Sequence, residues 1–110
     1  MSEHYFTPEL LARFSAEKMK KINLHSSAHL FCDLYCLQPG QAQKDHAHDD
    51  SDKVYCVLNG RPTIRIGDEY RELGADDVAI APAGVIHGVR NETEENAVLL
   101  VIMAPPPSGH

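Results

Sequence analysis

Short apolar runs separated by turn residues make up most of the chain from position 30 onward. Residues 30–37 and Ala97–Ala104 are apolar at nearly every position, which predicts strands that are covered on both faces. Four shorter runs lie between them, at positions 54–58, Thr63–Ile66, Val78–Ala81 and 85–89. Gly67-Asp68 follows the second of these runs and predicts a two-residue hairpin. The pattern predicts an antiparallel β-sandwich or β-barrel with about eight strands.

The two ends of the chain depart from this strand pattern. Near the N-terminus, Thr7 is a suitable helix cap, Pro8 suits the first helical turn, and Glu9 favours the positive end of the helix dipole. A short edge strand is expected at 19–24. The prolines that open 105–110 cannot join a sheet ladder, so a flexible, solvated tail is expected there. The chain is therefore predicted to be one domain over 1–110, with a helix and edge segment at 1–28, a barrel at 30–104 and the tail at 105–110.

Composition and charge narrow the class of protein. A chain of 110 residues can bury one hydrophobic core but not two. The net charge of -6, without any run of lysines or arginines, argues against nucleic acid as a partner. No apolar segment approaches the roughly 20 residues of a membrane helix, and the N-terminus has no signal-peptide pattern. Cys32, Cys36 and Cys56 lack CxxC spacing, so we expect free thiols in a cytoplasmic protein.

Three histidines provide the candidate chemistry. His46 and His48 stand two residues apart just before the apolar run at 54–58, and side chains at that spacing on a strand point to the same face. A third imidazole, His87, follows in the segment PAGVIHGVRN. Neutral imidazoles suit divalent Fe, Mn, Ni, Zn or Cu. The sequence therefore predicts one divalent transition-metal site held by these three side chains.

The two histidine segments resemble the two sequence motifs of the cupin superfamily. The first motif runs from a glycine through His-x-His to a second glycine, and the matching positions are Gly40, His46, His48 and Gly60. The second motif has the form Pro-x-Gly, two residues, His, three residues, Asn, and the matching positions are Pro82, Gly84, His87 and Asn91. The motif's leading glycine is replaced by Asp76. The resemblance covers about 30–104 and implies a small single-domain bacterial cupin, an all-β double-stranded β-helix (jelly-roll barrel) with a short N-terminal helix.

The chain departs from the family at one important position. The cupin spacing puts the family's glutamate ligand at Lys53, and a protonated amine repels a dication at short range. Asp52 is adjacent, but it has the opposite strand parity and would need a bulge to turn inward. Two alternatives remain: Asp52 replaces the glutamate, or three histidines hold the metal with water or substrate, as in some cupin enzymes. A cupin that has lost its metal and kept the imidazoles is a third.

Strand parity places two further side chains beside the histidines. Lys53 and Tyr55 share a face, so we predict that Lys53 orients an anionic substrate and that Tyr55 donates a hydrogen bond or a proton. Lys53 can equally turn to the rim or pair with an aspartate. Candidates for an apolar pocket wall are Phe31, Val57, Ile64, Ile66 and Ile80. The resemblance then implies a dioxygenase- or isomerase-like enzyme for a small anionic molecule, and the alternative is a non-catalytic small-molecule-binding cupin.

Three further expectations concern the outer face of the sheet, the other histidines and a run of acidic residues. If Lys53 faces inward, the alternating apolar residues of 54–58 face outward, and an uncovered apolar sheet face predicts a homodimer. The other histidines are expected at the surface or in the core as ordinary residues: His4, His25, His29 and His110. An acidic run forms either a solvated turn or an electrostatic funnel for cations, and its members are Asp45, Asp49, Asp50 and Asp52.

Overall fold

The computed structural model describes residues 4–107, which contain one short helix and nine strands. The helix α1 spans Pro8–Leu11. The strands are β1 (Lys20–Ser26), β2 (Phe31–Leu37), β3 (Ala42–His46), β4 (Asp52–Asn59), β5 (Thr63–Ile66), β6 (Glu69–Glu72), β7 (Val78–Ala81), β8 (His87–Arg90) and β9 (Ala97–Ala104). The predicted strands are all present, and β3 is a strand that the apolar pattern did not reveal.

The strands form two antiparallel sheets that face each other. One sheet has five strands in the order β1-β2-β9-β4-β7, and the other has four in the order β3-β8-β5-β6. Neighbouring strands in each sheet are mostly distant in sequence, as when β2 and β4 both pair with β9. The β-sandwich prediction is confirmed, with β1 at an edge as expected.

Both faces of the five-stranded sheet are covered around β2 and β9. On the inner face, Tyr35, Leu37, Leu99 and Val101 pack in the core between the two sheets. On the outer face, a second cluster forms around Leu34, Cys36 and Val98, with Leu11, Ala12 and Phe14 of the N-terminal segment packed against it. Continuous burial along these two strands follows from this double cover, as their unbroken apolar sequences predict.

The N-terminus of α1 is capped by a backbone hydrogen bond and not by a side chain. Thr7 makes no side-chain cap hydrogen bond, and its carbonyl oxygen instead accepts from the N–H of Leu10 at 2.9 Å. The prediction of a Thr7 side-chain cap is therefore wrong. The chain after α1 lies on the outside of the five-stranded sheet, as expected, where Leu11 and Phe14 contact its outer cluster.

The strand β4 alternates between inward and outward residues as the sequence predicted. Lys53, Tyr55 and Val57 are all buried, whereas their neighbours on the other face are half-buried. The register with β9 runs without interruption from Asp52 to Val57. No bulge changes the parity of these residues, so Lys53 and Tyr55 point into the space between the sheets.

The C-terminal segment follows β9 across the body of the protein. Pro107 is buried, and the carbonyl of Pro105 accepts a hydrogen bond from the Ser51 hydroxyl at 2.6 Å. The expectation of a solvated tail is wrong for Pro107, because the segment packs against the start of β4. The rest of that expectation, 108–110, lies outside the described residues.

The cysteines and the remaining histidines are placed as ordinary residues. Cys32, Cys36 and Cys56 are free thiols, as predicted. Surface positions are occupied by His4, His25 and His29, whereas His110 lies outside the described residues. Within 4–107, no helix reaches the length and apolar character needed to cross a membrane.

Gly60 provides a test of the turn that leads out of β4. Its φ is +81°, and a Cβ there would lie 2.8 Å from the Cα of Ala97. Gly60→Ala is expected to lower the free energy of unfolding by more than the roughly 1–3 kcal/mol of a left-handed non-glycine residue. Gly40→Ala is the matched control, since φ is +83° with nothing within 4 Å of the added Cβ. Urea unfolding that showed equal losses for the two variants would contradict the close approach at Ala97.

Candidate metal centre

The three histidines come together from two segments of the chain. His46 is the last residue of β3 and pairs in register with His87, the first residue of β8. His48 lies beyond the end of β3, in the connection to β4, so the idea that both members of the His-x-His pair sit on one strand is wrong. The connection is held in place by the N–H of Gly84, which donates to the carbonyl of His48 at 2.7 Å.

The imidazole rings are close enough to share one ion. Ring centroids are 4.4 Å apart for His46 and His87, 4.9 Å for His46 and His48, and 5.8 Å for His48 and His87. One nitrogen from each ring lies within 4.8 Å of the others. Since metal–imidazole bonds are about 2.0–2.1 Å long, ligand nitrogens on one ion are roughly 3–3.5 Å apart. Side-chain rotations would have to bring the three nitrogens from within 4.8 Å to that separation.

Backbone carbonyls fix the proton on two of the rings. The Nδ1–H of His46 donates to the carbonyl of Lys44 at 2.7 Å, and the Nδ1–H of His87 donates to the carbonyl of Val85 at 3.0 Å. Because a carbonyl only accepts, Nδ1 carries the proton in each ring and Nε2 keeps its lone pair. Such hydrogen bonds behind a ring are the usual support of a metal-ligating histidine.

The Nε2 atom of His87 is the observation that fits a metal best. It is buried and has no hydrogen-bond partner. Leaving a buried acceptor unsatisfied costs about 1–3 kcal/mol. A cation at this atom would remove that cost, and its other ligands would be the nitrogens of His46 and His48. The donor set of neutral imidazoles suits a divalent transition metal.

The surroundings hold the imidazoles in the neutral form that metal binding requires. Burial lowers the pKa of His87 to about 4, and the nearby charge of Lys53 acts in the same direction. The pKa values of His46 and His48 are also lowered, again chiefly by burial and then by Lys53. At neutral pH, an arriving cation therefore has no proton to displace from the rings.

Lys53 lies in the interior, next to the rings of two tyrosines. Its side chain is 1% exposed, and its Nζ donates to Oε1 of Gln43 at 3.1 Å. The same Nζ lies 5.0 Å from the ring centroid of Tyr35 and 5.1 Å from that of Tyr55. Burial lowers the pKa of Lys53 to about 7, with a further lowering by Lys21. The amine is thus close to losing its proton under ordinary conditions.

Asp52 does not take the place of the missing glutamate. Its side chain is exposed, and its Oδ1 accepts a hydrogen bond from the N–H of Ala83 at 2.8 Å. Because the register of β4 is unbroken here, Asp52 remains on the face opposite to Lys53. Of the two alternatives for the family's carboxylate position, the structure excludes Asp52 and leaves Lys53 inside.

Tyr55 lies close to both Lys53 and His87. It is fully buried, its ring centroid is 6.2 Å from that of His87, and its hydroxyl has no hydrogen-bond partner. Burial raises the pKa of Tyr55, so the hydroxyl keeps its proton and remains a donor. The site therefore contains one unused donor, at Tyr55, and one unused acceptor, at His87.

Two neighbours of Lys53 were missed by sequence reasoning. Gln43 bridges the site, because its Oε1 accepts from Lys53 and its Nε2 donates to the hydroxyl of Tyr35 at 3.3 Å. The inward parity of Tyr35 was readable within 30–37, but its distance from Lys53 depends on β9 lying between β2 and β4. The sequence could not predict that Gln43 faces the site, because β3 has polar residues on both faces.

The predicted wall and acidic run are only partly as expected. Val57 and Ile64 are buried in the core, whereas Ile80 is 56% exposed. Ile80 lines a cavity with Ile64 and Ile66, but none of the three histidines borders that cavity. The neighbours of Ile80 on β7 point inward instead. Asp45 pairs with Arg65 at 2.8 Å on the outer surface, so this part of the acidic run forms an ordinary surface ion pair.

Comparison with known proteins identifies the family of the chain. The model of the Cupin domain family matches residues 33–103. The crystal structure of TT1209 from Thermus thermophilus superposes with a TM-score of 0.91 and is 48% identical, covering 94% of this chain and 98% of that one. The predicted all-β cupin fold is thereby confirmed.

Two sequence relatives come from Streptomyces. SCO3923 of Streptomyces coelicolor is 39% identical over 77 residues, which are 68% of this chain and 70% of the relative. Polyketide synthase CurC of Streptomyces cyaneus is 32% identical over 84 residues, which are 73% of this chain and 54% of the relative. The histidine cluster thus lies within a double-stranded β-helix whose sequence and structure both match one family, and the chain belongs to the Cupin domain family.

Proposed function

We propose that this cupin is a metal-dependent enzyme in which His46, His48 and His87 hold one divalent transition ion. The buried, unpartnered Nε2 of His87, facing two further imidazoles, is the observation that carries the proposal. A bound ion would supply Lewis-acid or redox chemistry of the dioxygenase or isomerase type. Its substrate is a small anionic molecule with an apolar part.

The charge of the site favours an anionic substrate. Three neutral imidazoles leave the charge of a dication uncompensated, because no carboxylate is among the clustered ligands. Lys53 adds positive charge when it is protonated, and this charge lowers the pKa values of all three histidines. An enolate or carboxylate group would offset this charge at the centre.

Lys53 and Tyr55 are proposed to act on the substrate directly. The amine of Lys53 would orient an anionic group, and the hydroxyl of Tyr55, which has no partner, would donate a hydrogen bond or a proton. The similarity to polyketide synthase CurC supports enolisable carbonyl compounds as the first class to test. Such compounds become anionic when they bind a cation as enolates.

Turnover by metal-loaded protein tests the proposal. Protein loaded in turn with Fe, Mn, Ni, Zn or Cu would be incubated with enolisable diketones and phenolic acids, and oxygen uptake and product formation would be followed. We expect product with at least one metal and none with the metal-free protein. Metal-dependent ligand binding without product would support the non-catalytic alternative, and a protein that binds none of these ions would contradict both.

We also propose a homodimer formed through the outer face of the five-stranded sheet. Apolar residues lie in register across this face, as in the row Cys32, Ile102, Val54 and Ile80. The N-terminal segment covers only the part around Leu34. At the uncovered edge, Val78 is 54% exposed and Ile80 is 56% exposed. Burying this face against a second copy would remove these side chains from water.

A charge placed on the uncovered edge is expected to separate the two copies. Ile80→Lys should convert a dimer to a monomer at micromolar concentration, because a buried unpaired amine at an interface is strongly unfavourable. Tyr70→Lys is the control, since Tyr70 is 48% exposed on the other sheet. Light scattering that found a monomer for the unmodified protein would contradict the proposed dimer.

The domain organisation and the cellular location predicted from the sequence are also proposals. We propose that 1–110 forms one cooperative unit and that the protein works in the cytoplasm, where its free thiols would stay reduced. A single unfolding transition seen by both fluorescence and circular dichroism would support the first proposal.

A further inference from the structure

We propose that Lys53 is a carbon dioxide-binding site, at which a carbamate forms on Nζ and supplies an anionic oxygen ligand to the ion held by His46, His48 and His87. The metal-ligand part of this inference rests on the proposed function. The carbamate itself does not, because it forms on the protein without a metal.

The position of Lys53 suits this modification. The side chain is 1% exposed, and its Nζ donates to a neutral acceptor, the amide oxygen of Gln43, at 3.1 Å. No carboxylate within residues 4–107 forms an ion pair with this amine. A buried ammonium that forms no ion pair is unfavourable. The charge of Asp33 favours the protonated amine, but burial outweighs it, so the site favours the uncharged amine. Burial accordingly lowers the pKa of Lys53 to about 7.

The reaction needs only the neutral amine and dissolved carbon dioxide. The nitrogen lone pair forms a bond to the carbon of CO₂, and one C=O electron pair moves onto oxygen. The nitrogen then releases one proton to solvent. The products are the Nζ-carboxylate of Lys53 and H⁺, so atoms and charge balance, and nothing is oxidised or reduced.

Gln43 separates the amine from a cleft that is open to solvent. This residue lines a cavity of about 620 Å³ whose rim carries Lys18, Lys20, Lys21 and Lys44. The four lysines outnumber the one acid of the lining, Glu17, so the cleft is cationic on a protein with a net charge of -6. A rotation of the Gln43 side chain would open a path from this cleft to Nζ for a molecule as small as CO₂.

The groups around Lys53 would stabilise a carbamate on its amine. The buried hydroxyl of Tyr55 is a donor without a partner, and a carbamate oxygen would accept from it. The change replaces a cation by an anion within electrostatic range of all three histidines. A dication among neutral imidazoles would then have an anionic ligand in place of a positive neighbour.

Carbon-13 NMR of the metal-free protein tests the carbamate directly. In ¹³C-labelled bicarbonate near pH 8, we expect one carbamate resonance per chain in the unmodified protein and in Lys21→Met. The Lys21 amine is a matched control, because it lies 5.5 Å from the same Tyr35 ring but is exposed. The resonance should be absent in Lys53→Met, and in Lys53→Arg if the methionine variant does not fold. Absence from the unmodified protein, or persistence in both Lys53 variants, would overturn the inference.

Metal affinity tests whether the carbamate is a ligand of the ion. Adding bicarbonate should tighten metal binding by the unmodified protein at least about tenfold, the scale on which groups supporting a metal site act. The same addition should leave Lys53→Met unchanged, which also controls for metal carbonate complexes in solution. Lys53→Glu should bind metal tightly with or without bicarbonate, because it carries its own carboxylate.

The outcomes separate this inference from the proposed function. A carbamate resonance in a protein that binds no metal would leave the modification standing and remove the metal-dependent function. Metal binding that is independent of bicarbonate, with no resonance from Lys53, would leave the function standing and remove the carbamate. A resonance without any change in metal affinity would overturn the claim that the carbamate is a ligand.

Discussion

His48→Ala is expected to weaken binding of a transition metal by more than about 100-fold, since loss of groups that only support a ligand already costs 10–100-fold. The reason is geometric: a nitrogen of His48 is one of three that lie within 4.8 Å of one another. Competition with a chromophoric chelator measures the affinity, and His29→Ala, which removes an exposed histidine, is the control.

The same variant should keep its fold. His48 lies outside the strands and is half-exposed, and it belongs to neither of the two buried clusters. Urea unfolding of the metal-free protein should therefore show a change of less than about 1 kcal/mol, as for most substitutions away from the core. Unfolding of the metal-free His48→Ala variant would contradict the independence of fold and site. Unchanged chelator competition would remove His48 from the proposed ligand set.

Lys53→Met is expected to raise the free energy of unfolding at pH 7 by about 2–5 kcal/mol, because each pKa unit of a buried group is worth about 1.36 kcal/mol. Folding lowers the pKa of this amine from 10.5 to about 7, so the folded protein favours the neutral form. Methionine fills a similar volume without that cost. The lost hydrogen bond to Gln43 and the lost contacts with aromatic rings keep the gain below its upper limit.

The advantage of Lys53→Met should shrink as the pH rises. Between pH 7 and 10.5 the unfolded chain holds a proton on this lysine that the folded chain has released. The unmodified protein therefore gains stability with rising pH in that window, whereas below pH 7 the full penalty applies. Urea unfolding at pH 7 and pH 9.5, in bicarbonate-free buffer with Lys21→Met as the control, measures this difference. A destabilised variant at pH 7, or a gap that does not narrow, would contradict the cost assigned to Lys53.

Much of the fold was readable from the sequence because strand parity is a local property. The alternation in β4 predicted that Lys53 and Tyr55 share a face, and the structure turns that face inward. The unbroken apolar sequences of β2 and β9 predicted cover on both faces. Where every residue of a strand is apolar, as in the VAIA of β7, the sequence does not say which residues face inward, and the structure leaves Ile80 on the exposed face.

The contacts within the site depend on the topology of the sheets and were harder to predict from the sequence. Gln43 and Lys53 belong to different sheets, so their hydrogen bond follows from how the two sheets face each other. The sequence spacing found His46 and His48, but the strand argument did not apply to His48, which lies in a connection fixed by Gly84. Burial of Pro107 likewise depends on a tertiary contact that the composition of the tail does not encode.

An ion bound by the three histidines would have a different charge balance from an ion in a site with a carboxylate. The interior position that would hold an acid holds an amine instead, and this amine lies among Tyr35, Tyr55 and Gln43. Its protonation, or its modification, would set the charge that a bound ion and its substrate experience. The chemistry of the centre is therefore expected to depend on Lys53 as much as on the histidines.

Anomalous diffraction from crystals grown without added metal, and then soaked in Mn²⁺ or Zn²⁺, tests the central claim most directly. We expect one peak bonded to Nε2 of His87, Nε2 of His46 and a ring nitrogen of His48, with bond lengths of about 2.0–2.2 Å. A map without a peak among these three rings after soaking, with the rings still apart, would contradict the metal centre.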